Sequence, residues 1–146
     1  MKNYLPILKP IEKLAADSNV LLSSVAGKAA LKIFTRTRIE VATTEFNYLE
    51  VLEYIPVVAG KYGLEAAILE AQLKLLPLKK IPQEFYRHEW DEAYKRIGKR
   101  DPDDVHLLAL ALKLRVPVWS NDDDYKGCGI QIFTTAEILK RCLPFE

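Results

Sequence analysis

Short apolar, β-branched segments alternate along the chain with longer stretches of helical periodicity. Residues 11–16 form a weakly apolar segment that ends at Asp17 and reads as a first strand. Residues 25–34 have helical character, interrupted by Gly27. Residues 38–42, with Ile39 and Val41, carry the β-branched signal of a second strand. Thr43 or Thr44 can then cap a helix over 45–59. On it Phe46, Leu49, Leu52 or Glu53, and Pro56 recur at helical spacing, and Pro56 is expected to end or kink it. Residues 64–76 predict a further helix with Leu64, Ala67, Ile68, Ala71 and Leu75 on one face, stopped by Pro77.

Residues 78–81 read as a third strand. An amphipathic helix is predicted over 83–97, carrying Phe85, Tyr86, Trp90, Ala93, Tyr94 and Ile97 among charges and ending at Gly98. The clearest helix spans 101–114, because Asp101 is a natural N-cap and Pro102 brings a fixed helical φ to the first position. Residues 116–119 follow as a strand, with Pro117 tolerable near its start, and 130–133 as another. Thr134 or Thr135 caps a last helix to about Cys142. Strands separated by helices imply βαβ units, hence a mostly parallel sheet covered on both faces in a three-layer α/β/α sandwich. With no internal repeat or long linker, the 146 residues read as one domain, 1–146.

Folds of this kind bind ligands beyond the carboxyl ends of their strands, near the point where strand order reverses. The polar residues that follow a strand, or open a helix beside one, are acidic. Asp17 follows the first strand, Asp122 and Asp124 follow the strand over 116–119, Asp104 lies in the first turn of the clearest helix, and Glu50 lies on the helix after the second strand. Each also has a plain structural role open to it: turn residue, helix cap, dipole partner or exposed charge. Asp104 shares a helix face with Leu107, Leu108 and Ala111, which places its carboxylate at the rim of a buried stripe.

Composition narrows the chemistry. Apolar residues are 49% and charged residues 28%, with a net charge of +1, which excludes a disordered chain, a coiled coil and a globally basic nucleic-acid binder. The longest strictly apolar run, 107–112, is far short of the roughly 20 residues of a membrane span. Lys2 and Lys9 flank no apolar stretch of signal-peptide length, so a cytoplasmic location is expected. Cys128 and Cys142 form no CxxC pair, and with only His88 and His106 besides they make zinc improbable. Carboxylates gathered at one sheet edge repel each other, and hard oxygen ligands around Mg²⁺ or Mn²⁺ remove the conflict. Such an ion can clamp a phosphodiester and activate water, so phosphoryl chemistry is the leading reading.

These residues carry a resemblance. DSNVL from Asp17, Glu50 on a helix, RDPDDVHLLALAL from Arg100, VWSNDDDY from Val118 and FTTAEIL from Phe133 together resemble a PIN domain. The resemblance covers nearly the whole chain, and the stretch 101–125 is its specific part. It implies strand order 3-2-1-4-5, acids gathered where strands 1 and 4 diverge, and Mg²⁺- or Mn²⁺-dependent nuclease activity, as in the VapC-like toxins of toxin–antitoxin pairs. Asp17, Glu50, Asp104 and Asp122 match the family's acidic quartet, Asp124 an accessory acid, Ser120 a hydroxyl residue beside the metal, and Asn19 an Asn near the first acid. Asp17, Asp104, Asp122 and Asp124 are thereby implied as metal ligands. Glu45 and Glu53 are rivals for the Glu50 position, Glu53 the more serious because residues three apart share a face. The resemblance further implies RNA as substrate, with DNA as the alternative, an antitoxin partner, and a homodimer to which the helix over 83–97 could lend apolar contact.

Sequestering Asp17, Glu50, Asp104, Asp122 and Asp124 around metal removes five negative charges from a chain of +1 and leaves +6 on the remainder. Arg36, Arg38, Lys99 and Arg100 are the candidates to hold substrate phosphates, against the rival reading of a solvated surface. Tyr86, Trp90 and Tyr94 suit base stacking, though core packing or a dimer contact fits them better. A phosphoacceptor receiver domain would need an acidic pair after the first strand, where Ser18 and Asn19 follow Asp17. A haloacid-dehalogenase-like phosphatase would need an Asp at the place of Asn19. A PIN-like module without catalysis, binding nucleic acid or protein, is the remaining alternative.

Overall fold

The computed structural model describes residues 9–145; residues 1–8, with Lys2, and Glu146 lie outside the described residues. The sheet comprises β1 (Lys13–Ala16), β2 (Glu40–Thr44), β3 (Leu78–Ile81), β4 (Val118–Trp119) and β5 (Ile132–Phe133). Every pairing is parallel and the spatial order is β3-β2-β1-β4-β5. The chain leaves β1 toward β2 on one side and returns to pair β4 with β1 on the other, so strand order reverses beyond the ends of β1 and β4.

Side-chain alternation divides the core into two layers. Leu14, Ala16, Val41 and Trp119 face one layer, with α1 (Ser18–Val25), α2 (Leu31–Arg36), α3 (Glu45–Tyr62), α4 (Ala66–Leu75) and α8 (Thr135–Cys142) contributing its other buried residues. Ala15, Ala42 and Val118 face the other, which is filled by α5 (Gln83–Tyr86), α6 (Trp90–Ala93) and α7 (Val105–Leu114). The expected three-layer sandwich with strand order 3-2-1-4-5 is the observed one.

Element boundaries differ from the sequence reading in ways that have local causes. The helix expected over 25–34 is two helices, because Gly27 at φ 76° turns the chain between α1 and α2. The residues 18–25 ahead of it, unassigned from sequence, form α1, N-capped by Asp17. The strand expected over 38–42 is shifted to 40–44. Pro56 does not end α3; Val51, Ile55 and Ala59 anchor it to the core, and it runs on to Gly63, whose φ of 64° makes the left-handed C-cap. The helix expected over 83–97 is broken into α5, a 3-10 turn, α6 and a π-type turn over 94–98, which together bury Tyr86, Ala93 and Ile97. Only Phe85 and Tyr94 of its aromatic residues are left largely exposed. The clearest helix opens as a 3-10 turn over Pro102–Asp104 and becomes α-helical at Val105. Among the described residues, no helix is long and apolar enough to cross a membrane.

The face of α4 is also corrected. Its buried residues are Leu69 and Leu73, whereas Leu64, Ile68 and Leu75 are 43%, 59% and 78% exposed. Two apolar stripes interleave on this helix, and packing against α1 and α3 selects the 69/73 one. Leu73→Ala is therefore expected to cost about 2–5 kcal/mol of unfolding free energy, as cavity-forming core truncations do. Ile68→Ala, on the exposed stripe, is expected to stay within about 0.5 kcal/mol, both variants being compared with the parent by urea titration.

Candidate active site

Parallel strands deliver their following residues to one edge, and the acids meet there. A cleft of about 250 Å³ is lined by Asp17, Asn19, Glu50, Asp104, Asp122 and Asp124, together with Ser18, Asn47, Tyr54, Asp101 and Asp103. Glu50 lines the cleft, and neither Glu45 nor Glu53 does. The amphipathic phase of α3 explains this: Asn47 and Glu50, three residues apart, share the face turned toward α1.

Asp17 leaves the end of β1 in extended backbone and caps α1, its Oδ1 accepting from the Val20 N–H at 2.9 Å. It is 5% exposed. Burial raises its pKa to about 6; hydrogen bonds from Ser120 and the Val20 N–H oppose the shift, and the charge of Asp122 adds to it. Ser120, fully buried after β4, also accepts from the Asp122 N–H at 3.1 Å, so one hydroxyl links both acids. Asn19 donates from Nδ2 to Asp122 Oδ2 at 2.8 Å, tying the first turn of α1 to the loop after β4. Asn47, which sequence reasoning passed over, is buried and bonds Thr44 and Ser18, fixing the base of α3 against α1.

Asp104 sits where the 3-10 turn meets α7. Leu107, Leu108 and Ala111 behind it are fully buried, as its placement at the rim of the apolar stripe requires. Burial comes first in raising its pKa to about 7, followed by the charge of Asp101 and a proton-sharing contact with that carboxyl. The Tyr125 hydroxyl, which donates to Asp104 Oδ1 at 3.1 Å, opposes the rise. Asp104 Oδ2 is buried and has no hydrogen-bond partner.

Asp101, Asp104 and Asp124 each offer a carboxylate oxygen within 4.8 Å of the other two. Asp101 was legible in the sequence only as an N-cap, and it does accept from the Asp103 N–H at 3.2 Å. Asp17 and Asp122 line the same cleft outside this triad. An all-oxygen donor set with an orphaned buried carboxylate oxygen fits a hard divalent cation. His106 is not among the cleft residues. It stacks on Phe46 with ring centroids 4.1 Å apart and contacts Trp90 and Tyr86, and burial lowers its pKa.

The four basic residues assigned to phosphate binding do not line the cleft. Arg36 and Arg38 line a groove with Lys13 and Glu40, the first residues of β1 and β2, at the opposite edge of the sheet. Both precede β2 in sequence, and residues that precede a parallel strand lie at its amino end. Arg100 is turned to the backbone, its Nη2 donating to the carbonyls of Asp124 at 2.5 Å and Lys126 at 3.3 Å. Lys99 beside it is exposed.

A family model described as PIN domain matches residues 16–142. No curated protein matches the chain. Among solved structures, the chain is similar to one in a toxin-antitoxin complex from Klebsiella pneumoniae, with a TM-score of 0.61 and 21% identity over 86% of this chain and 99% of that one. It is also similar to a chain of VapBC2 from Rickettsia felis bound to a DNA fragment from their promoter, with a TM-score of 0.59 and 11% identity over 84% of this chain and 98% of that one.

The raised carboxyl pKa values give a pH dependence of known sign. Asp104 binds its proton near an ordinary 3.8 when unfolded and near about 7 when folded, so its protonation favours the folded state. That contribution is full below the unfolded value and is lost as pH rises through the folded one. In EDTA, the thermal midpoint of Asp104→Asn is therefore expected to pull ahead of the parent's as pH rises from 4 to about 7.5. Parallel curves across that window would contradict the upward shift that burial and the neighbouring acids give Asp104.

Proposed function

The chain belongs to the PIN domain family, and from that premise we propose that it is a divalent-cation-dependent endonuclease acting on RNA. The observation that carries this reading is the cleft at the β1/β4 switch point, which is lined by carboxylates from four separate elements and loops, three of them within 4.8 Å of one another and one with an orphaned oxygen. Asp17, Asp104, Asp122 and Asp124 would hold the ion, with Asp101 joining them. Mg²⁺ or Mn²⁺ bound there would neutralise charge on the phosphodiester and activate the attacking water.

The chain's own groups organise the remainder. Ser120 and the Val20 N–H orient Asp17. Asn19 fixes Asp122 from the other side of the switch point. Glu50, which lines the cleft from α3, would orient a water and accept its proton. Tyr54, 46% exposed at the cleft's edge, offers a ring on which an unpaired base can stack, which favours single-stranded or loop RNA over duplex.

The toxin of a toxin–antitoxin pair in the cytoplasm is the physiological setting this reading favours. Its support is the likeness in fold to chains of a toxin-antitoxin complex and of VapBC2. A homodimer belongs to the same reading, with Phe85 and Tyr94 as exposed aromatic residues of the segment first considered for the contact.

The test is cleavage of an end-labelled structured RNA with Mg²⁺ or Mn²⁺. Cleavage is expected to vanish in EDTA, to return when the cation is restored, and to fall roughly 100-fold or more in Asp104→Asn. Cleavage by the variant at the parent rate would place the activity elsewhere. A parent that neither cleaves nor binds metal would be a PIN-like binding module instead.

A further inference from the structure

Tyr125 is a buried phenol placed beneath the carboxylates. It is 1% exposed and packs in the α7 layer of the core, yet its hydroxyl reaches Asp104 Oδ1 at 3.1 Å. The backbone on both sides of it is tied down. Arg100 Nη2 donates to the carbonyls of Asp124 and Lys126, the two neighbours of Tyr125, and Arg96 Nη1 donates to the Cys128 carbonyl at 3.1 Å. A side chain with a fixed backbone and a buried ring has little freedom in where its oxygen sits. The loop that supplies Asp124 thus also supplies the donor that constrains Asp104.

Among the described residues, the Tyr125 hydroxyl is the one neutral side-chain donor bonded to Asp104. Asp104 Oδ2 has no hydrogen-bond partner, and the other two members of the triad are carboxylates, which accept hydrogen bonds when ionised. Without the hydroxyl, Asp104 would lose that donor, and repulsion from Asp101 and Asp124 would favour turning it away. The geometry points to Tyr125 as a positioning residue: its hydroxyl fixes one oxygen of Asp104 so that the carboxylate is presented, beside Asp101 and Asp124, to a divalent cation. This rests on the cation-dependent reading above and adds to it a residue that touches neither ion nor substrate.

Tyr125→Phe keeps the ring and removes only the donor. Tyr86→Phe is the matched control, because Tyr86 is also 1% exposed and its hydroxyl bonds His106 instead of a cleft acid. Mn²⁺ is titrated into each metal-free protein and free Mn²⁺ is read by electron paramagnetic resonance, with thermal unfolding in EDTA recorded alongside. Tyr125→Phe is expected to bind Mn²⁺ roughly tenfold more weakly, as loss of a partner that orients a metal ligand does. Tyr86→Phe is expected to bind like the parent, and both variants to keep a cooperative transition. Parental affinity in Tyr125→Phe, or an equal loss in both variants, would overturn the role of Tyr125 and leave the cation site standing. Affinity lost only together with cooperative unfolding would make the hydroxyl a folding group and overturn the role as well. A parent that binds no Mn²⁺ would remove both the cation-dependent reading and this assignment.

Discussion

Seven carboxylates line one cleft, and among the described residues no lysine or arginine lines it with them. Crowding like charges at a partly buried edge costs free energy that hydrogen bonds from neutral donors offset only in part. The donors are specific: the Val20 N–H and Ser120 for Asp17, Asn19 for Asp122, the Asp103 N–H for Asp101, and Tyr125 for Asp104. Burial first, and the charge of neighbouring acids after it, raise the pKa values of Asp17 and Asp104 against these donors. The rest of the architecture serves to hold this arrangement together without a side-chain counter-charge.

Parallel topology produces the crowding and also supplies much of its support. Because all five strands run the same way, every residue that follows a strand arrives at one edge. Asp17 leaves β1 there and caps α1, where the helix N-terminus favours a negative group. Asp104 arrives at the start of α7, a helix buried deeply enough in the second core layer to fix its position. The alternation of Leu14, Ala15 and Ala16 between the two layers lets β1 sit centrally with helices on both sides. A central β1 is what brings its carboxyl end beside that of β4, and so brings Asp17 beside Ser120 and Asp122.

The sequence made the strands and most of the acids readable for the same reason: a charge placed directly after a β-branched or apolar run has few structural roles. Other features needed the third dimension. On α4 the stripes through Ile68 and Leu69 are equally apolar, and only packing against α1 and α3 distinguishes them. Asp101 was hidden because its capping role already accounted for it, although it both caps and joins the triad. Tyr125 looked like one more core aromatic, since nothing in the sequence says where a hydroxyl ends. Arg36 and Arg38 were misplaced for a different reason. Their position ahead of β2 already put them at its amino end, and the positional rule applied to the acids would have excluded them too.

The arginines nearest the cleft complete the electrostatic argument. Arg96 is engaged by Glu92 and the Cys128 carbonyl, and Arg100 by the carbonyls of Asp124 and Lys126. Both arginines thus hold the backbone of the loop that carries Asp124 and Tyr125. Freeing either one to meet a phosphate would loosen the loop it supports. An anionic phosphodiester entering this cleft therefore meets carboxylates first, and Coulomb repulsion between them would exclude it. In the cation-dependent reading proposed above, a divalent cation held by some of those carboxylates would offset part of their charge and offer an entering phosphodiester the positive contact that the cleft's own side chains lack.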